Sequence, residues 1–323
     1  MFDSPLSASA YDVLGVTPTT GDDALRRAYR ARLRETHPDT GGDAAVFIRV
    51  QRAWELIGTP EGRAAYDRSH GIGVETEWSG WRAPAPPADT RPRPKTYGEP
   101  GAWRRTKYID LLREWAGEEI ADPYAPAIVR AAPRELRRLL AEALAEEGTA
   151  AAVAGLGMGF TLWHGIATLP AASPAASPAT SPATSPDGRT TDAAQRLDHV
   201  ILGPSGLYGV MSADFGGVVG IRRGELTGPS LGHRAPVTTL LSQVAAVARA
   251  ARVRFSGAIV VLPDDDLSQA VTPLGSIRGL PVAVVRRSAL PGVLRRGLPG
   301  ARVIGGNELF DIRTRLTQRT RFA

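Results

Sequence analysis

His37, Pro38 and Asp39 stand together between two apolar-periodic stretches, and their side chains suit recognition. His37 offers an imidazole hydrogen bond, and Asp39 a charge-assisted acceptor for an arginine. Pro38 disfavours helical geometry at His37, so a preceding helix must stop there and the turn must project. Arg26, Arg27 and Arg30 lie just upstream and fall largely off the face shared by Leu25, Tyr29 and Leu33. A solvated face is the ordinary reading of such arginines. Beside the His-Pro-Asp turn they form a basic stripe suited to steering an acidic partner.

A second acid of interest is Asp198, followed by His199 on a short apolar segment, so the two point to opposite faces of a strand. His199 reads as a core or hairpin histidine. His70, His164 and His233 show no metal-ligand spacing, and Asp264, Asp265 and Asp266 read as a solvated polar loop. There is no phosphate-cradling glycine loop, no Gly-x-Ser-x-Gly elbow and no aromatic nucleic-acid motif. No cofactor and no metal are expected.

These residues need elements to position them. The spacing predicts a helix over 22–35, a second over 44–57 with Phe47, Val50, Trp54 and Ile57 on one face, and a third from Pro60. Thr20 is the expected cap of the first, Gly58 ends the second, and Thr59 with Pro60 opens the third. Residues 72–102 read as a Pro-rich linker in which Trp78 and Trp81 dock intramolecularly. Residues 103–132 read as a helical lead-in, with Tyr108, Leu111, Leu112 and Trp115 as one apolar set, and another helix opens at Pro133. From Phe160 the pattern changes to short strands, 160–169, 196–202, 207–213 and 218–222. A helix over 237–252, strands 258–262 and 281–285, and a basic helix from Asn307 follow. The Ser-Pro repeats within 170–195 cannot build a core and read as a disordered loop.

Composition sets outer bounds. With 323 residues and 43% hydrophobic residues, two or three domains with real cores are expected. The absence of cysteine rules out disulfides and thiolate metal sites and suits a cytoplasmic protein. No signal sequence is read at the N-terminus and no membrane span elsewhere; the apolar run 149–168 reads as a helix end and a buried strand. The net charge of +6 invites a nucleic-acid reading. Only Lys95 and Lys107 are lysines among 39 basic residues, which looks like codon bias toward arginine and weakens that reading.

The tripeptide has a wider context: Tyr11-Asp12-Val13-Leu14-Gly15-Val16 upstream and Thr59-Pro60-Glu61-Gly62-Arg63-Ala64-Ala65-Tyr66-Asp67-Arg68 downstream. Residues 7–71 resemble the J domain of DnaJ-type co-chaperones. The resemblance implies an all-α module that docks on a DnaK-type chaperone through His37, Pro38 and Asp39, with Arg26, Arg27 and Arg30, and stimulates its ATP hydrolysis. The Gly/Phe-rich segment and Cys-x-x-Cys repeats of a full DnaJ are absent from the sequence.

Residues 197–210, Leu-Asp-His-Val-Ile-Leu-Gly-Pro-Ser-Gly-Leu-Tyr-Gly-Val, resemble the nuclease-related domain called NERD, a branch of the PD-(D/E)xK nucleases. Over 133–323 this implies an α/β restriction-endonuclease-like fold. Asp198 matches the family's metal-binding Asp, and the acid and lysine positions fall on Met211 and Ala213. A thioether is a poor ligand for Mg²⁺, and a methyl cannot stabilise an oxyanion. Glu147 reads as a remnant acidic ligand, and Asp214 points to the opposite face. The expected protein is thus multidomain: a J-domain co-chaperone whose degenerate, non-catalytic C-terminal domain binds a client protein or partner. The alternative is a nucleic-acid-binding or nuclease-related protein with the J domain as an accessory.

Overall fold

The computed structural model describes residues 4–6, 9–69, 93–117, 120–167, 196–228 and 231–321. His70, the stretch with Trp78 and Trp81, and the Ser-Pro loop lie outside the described residues. The chain divides into two compact units, one drawn from residues up to 82 with 111–138, the other from 83–110 with 139–323. Residues 103–110 of the helical lead-in fall in the second unit, and 111–138 in the first.

The first unit begins with α1 (Ala10–Leu14), a short helix not foreseen from the sequence because five residues are too few for periodicity. Ser9 and Asp12 close a reciprocal capping box around its first turn. Next come α2 (Asp22–Thr36), α3 (Ala44–Ile57) and α4 (Pro60–Ser69). The cap of α2 differs from expectation: Gly21 holds the position without a side-chain bond, and Thr20 Oγ1 accepts from the Thr17 amide at 3.2 Å. Thr59 does cap α4, accepting from the Gly62 amide at 3.1 Å. Tyr11, Leu14, Leu25, Val50, Ile57 and Tyr66 are buried together, and the Tyr29 and Trp54 rings stack at 4.4 Å. Arg63 of α4 bonds the Tyr11 hydroxyl, Asp22, and the Pro18 and Thr20 carbonyls, tying α4 to the turn before α2.

Three helices follow: α5 (Ala102–Ala116), α6 (Pro126–Ala131) and α7 (Arg134–Val153). Tyr108 and Leu112 are fully buried, but Trp115, read as part of the same apolar set, is 44% exposed.

The second unit is a seven-stranded sheet made of β1 (Lys95–Tyr97), β2 (Thr161–Ala167), β3 (Arg196–Gly203), β4 (Gly206–Ser212), β7 (Gly257–Leu262), β9 (Leu280–Arg286) and β8 (Val271–Ile277), in that spatial order. β5 (Gly220–Arg222) and β6 (Glu225–Thr227) form a separate pair, and helices α8 (Pro236–Ala251), α9 (Leu290–Arg296) and α10 (Gly306–Arg319) complete the unit. β2, β3 and β4 pair antiparallel, whereas β4, β7 and β9 run parallel. Alternate residues serve opposite faces: Val260 and Val284 join the cluster under α8, while Ile259 and Val285 join the one with Leu290 and Leu294 of α9.

Two strands correct the sequence reading. Lys95–Tyr97, assigned to the linker, pairs parallel with β2, and Tyr97 stacks on Trp163 at 5.7 Å. β8 was not read from the sequence; it is an edge strand, and an irregularity in its pairing falls between Pro273 and Gly275. No helix among the described residues is long and apolar enough to cross a membrane.

Candidate functional site

The His-Pro-Asp turn is built by the end of α2. His37 leaves the helix in extended geometry (φ −65°, ψ 129°), and residues Pro38–Thr40 make one 3₁₀ turn. The Gly41 amide then returns to the Pro38 carbonyl at 3.0 Å, and the Gly42 amide to the His37 carbonyl at 2.9 Å. A Cβ on Gly42 would lie 2.2 Å from the Thr36 carbonyl carbon, so the tight reversal requires glycine there. The His37 ring stands edge-on to Phe47 at 5.1 Å, and its Nδ1 accepts from the Asp39 amide at 3.3 Å, leaving the neutral ring protonated at Nε2. Phe47, expected in the interhelical stripe, therefore supports the turn. The Asp39 side chain is 87% exposed. Arg26, Arg27 and Arg30 are exposed on α2, and none pairs with an acid among the described residues. An exposed acid and a half-buried imidazole thus follow a cationic face without acidic partners among the described residues.

Comparison with known proteins decides what the segment carrying this turn is. Residues 9–67 match the family model described as the DnaJ domain. Residues 9–67 are a J domain. A chaperone protein DnaJ of Prochlorococcus marinus is 44% identical over 64 residues, covering 19% of this chain and 17% of that protein. Chaperone protein dnaJ A6 of Oryza sativa is 43% identical over 58 residues, 18% of this chain and 14% of its own length. The chloroplastic chaperone protein dnaJ 20 of Arabidopsis thaliana is 38% identical over 80 residues, 23% and 41% respectively. The chain thus spans less than a fifth of the length of the first two relatives, and the likeness is confined to the J domain.

Beyond the J domain, Asp198 of β3 is 1% exposed. The register His199↔Val210, carried one residue further, sets Asp198 abreast of Met211. Its Oδ2 accepts from the Ser212 amide at 2.9 Å, and its Oδ1 from Arg104 Nη1 at 3.0 Å. Arg104, on α5, also donates through Nη1 to Glu146 Oε1 and through Nε to Glu142 Oε2 at 3.1 Å. Burial alone would lower the pKa of Arg104, but Asp198 and Glu142 outweigh it and hold the guanidinium above its ordinary value. Met211 and Ala213 pack with the core cluster under α8.

The sequence reading pointed to Glu147 as the second acid. In the structure Glu147 is held by Arg105, with Nη2 to Oε2 at 2.7 Å, and the neighbouring Glu146 is the acid that shares a guanidinium with Asp198. Arg104 and Glu146 were missed, although each left a signal. Arg104 extends the four-residue spacing of Tyr108 and Leu112, and Glu146 falls seven and three residues beyond Leu139 and Ala143, so both continue an apolar face. The Mg²⁺ that the sequence resemblance implies does not fit this donor set. Asp198 already faces a cation, Met211 offers only sulfur, and Ala213 offers nothing. No group of three or more His, Asp or Glu among the described residues is arranged to hold a metal ion.

On the opposite side of the same hairpin, a buried relay takes up the histidines. Ser212 donates its one hydroxyl proton to Thr149 Oγ1 at 2.8 Å, so it accepts from His199 Nε2–H at 2.8 Å; His199 Nδ1 must then accept from His164 Nδ1–H at 2.7 Å. Burial, and the charge of Arg104 nearby, lower the His199 pKa to about 3; burial and His199 do the same for His164. Both rings are neutral structural members.

Asp264–Asp266 correct another expectation. They form a 3₁₀ turn in which Asp266 is buried, not solvated. Its Oδ2 has no hydrogen-bond partner among the described residues, and burial together with Asp214 and Asp265 raises its pKa to about 7, against the pull of Arg287. Asp214 lies beyond the end of β4, with Oδ1 accepting from the Gly216 amide at 2.8 Å.

Proposed function

We propose that this chain is a J-domain co-chaperone that recruits a DnaK-type chaperone and stimulates its ATP hydrolysis. The observation that carries this reading is the exposed His37-Pro38-Asp39 turn beside an unpaired basic face, inside a segment that matches the DnaJ domain. Arg26, Arg27 and Arg30 raise the rate of encounter with an acidic surface, and the turn sets the docked orientation. The activity belongs to the chaperone; this chain contributes recognition. The test is single-turnover ATP hydrolysis by a cognate DnaK-type chaperone with the full chain. His37→Gln or Asp39→Asn should bring stimulation to background with an unchanged circular dichroism spectrum, because an exposed loop contributes little packing energy. Full stimulation by either variant would sink the reading.

For the C-terminal unit the reading is a degenerate nuclease-related domain that binds a client or partner protein. Its support is the succession of α7, the antiparallel strands β2 to β4, α8, and β7 parallel to β4, with Asp198 on β3 neutralised by Arg104. Neither DNA nor RNA should be cut above background with Mg²⁺ or Mn²⁺. Metal-dependent cleavage abolished by Asp198→Ala would show that the unit is an enzyme.

A further inference from the structure

Glu142, Glu146 and Asp198 converge on one planar cation, and each makes a second polar contact. Asp198 spends its second oxygen on the Ser212 amide at 2.9 Å, Glu146 on the Gly101 amide at 3.0 Å, and Glu142 lies 3.7 Å from Arg234 Nη1. The Arg104 side chain is 7% exposed, and its Nε and Nη1 donors are divided among the three carboxylates. A guanidinium supplies several in-plane donors in fixed directions, which neither an ammonium nor a spherical metal ion reproduces.

Arg104 belongs to a strap over 93–110 that enters the second unit through β1 and the first half of α5. The strap has other attachments: Tyr97 stacks on Trp163 at 5.7 Å, and Tyr108 is fully buried. β1 adds only three residue pairs at the sheet edge, Arg196 covers the Trp103 ring at 4.4 Å, and the Arg105–Glu147 pair is partly exposed. A Cβ on Gly101 (φ 73°) would lie 2.8 Å from the Ala143 carbonyl oxygen, so the strap turns tightly against α7 just before Arg104.

We propose that the Glu142–Glu146–Asp198 cradle is a guanidinium-binding site whose resident ligand is Arg104, and that it is the lock fastening the 93–110 strap to the sheet. Two buried carboxylates, Glu146 and Asp198, and the partly exposed Glu142 repel one another, and Arg104 offsets that repulsion, so the strap and the cradle fold as one piece. The inference deepens the reading of the C-terminal unit as non-catalytic and is independent of the chaperone reading: failure of the lock leaves ATPase stimulation untouched.

The experiment compares the full chain with Arg104→Ala, Arg104→Lys and Arg104→Ala/Asp198→Asn by thermal melting and hydrogen exchange. Arg104→Ala should lower the melting temperature of the C-terminal unit by roughly 10 °C and speed amide exchange over 95–110 by about tenfold or more. Methylguanidinium should restore part of both losses, methylammonium at equal ionic strength should not, and Asp198→Asn should remove the rescue. Arg104→Lys keeps the charge and loses the fork; it should fold with a lowered melting temperature and a loosened strap. Four outcomes overturn the proposal: no preference for methylguanidinium; Mn²⁺ as the better rescuer, which would make the cradle a metal site; Arg104→Lys indistinguishable from wild type; or Arg104→Ala that folds under none of these ligands. Cleavage by the Mn²⁺-loaded variant would separately overturn the non-catalytic reading.

Discussion

In the J domain the Asp39 side chain is 87% exposed and Arg26, Arg27 and Arg30 face solvent without acidic partners among the described residues, whereas Asp198 is 1% exposed and meets Arg104. The chemical groups are the same and the surroundings opposite. Exposed charges remain hydrated and available to a partner, where each adds little to stability. Buried ones are consumed by the fold: removing either member leaves its partner as an uncompensated charge in a poor solvent for ions. Sequence resemblance singled out both aspartates, Asp39 for docking and Asp198 as part of a degenerate metal site; only the first has the exposure that recognition of another protein requires.

The contrast can be broken by making the same change, Asp to Asn, at both positions and measuring both properties. Asp39→Asn should remove essentially all stimulation of the chaperone ATPase and shift stability by no more than about 0.5 kcal/mol. Asp198→Asn should do the reverse, lowering the stability of the C-terminal unit by about 3–5 kcal/mol while the J domain still stimulates. Denaturant titration and single-turnover hydrolysis on both variants check it, and exchanged outcomes would mean the roles of the two sites are misassigned.

Arg63 sharpens the contrast within the J domain, because it is an arginine whose polar contacts are all internal. Arg63→Ala should lower J-domain stability by roughly 2 kcal/mol through lost bonds to Tyr11, Pro18 and Thr20, an effect readable from a urea midpoint. Exposed Arg26 and Arg30 should behave differently. Charge reversal at both should slow association severalfold at low ionic strength and much less at high, with stability nearly unchanged. A loss independent of salt would point to damage in α2 instead of lost steering.

The smallest effect is expected at Asp266. Its folded pKa, about 7, lies above the ordinary value of 3.8, so its contribution to stability is full below the unfolded value and is lost as pH rises through 7. Asp266→Asn should therefore raise the melting temperature at pH 8, by an amount equivalent to about 1–2 kcal/mol, and the gain should vanish near pH 4. A gain of equal size at both pH values would show that folding does not shift the Asp266 pKa.

The helices of the J domain were legible because their signals are local. Leu25, Tyr29 and Leu33 repeat within one helix, Thr59 and Pro60 announce the next, and Pro38 ends α2 at His37 whatever surrounds it. β1 and β8 were not, because three residues beside a Pro-rich stretch, or a strand broken by Pro273 and Gly275, have extended structure only when a neighbouring strand accepts them. Asp198 itself was named from its hairpin, but its partner was not. Arg104 lies 94 residues away in sequence, and nothing near Asp198 encodes which cation will reach it. The apolar period along α7 could identify a carboxylate on the buried face, yet the choice of Glu146 over Glu147 depends on where α5 packs. By itself the sequence determined the turn and the charge of its flanking face, because short-range sterics and solvation suffice for both. Tertiary structure alone decided the fate of Asp198, because the energy of a buried charge depends on every group around it, and those groups come from α5, α7 and β4, far apart along the chain.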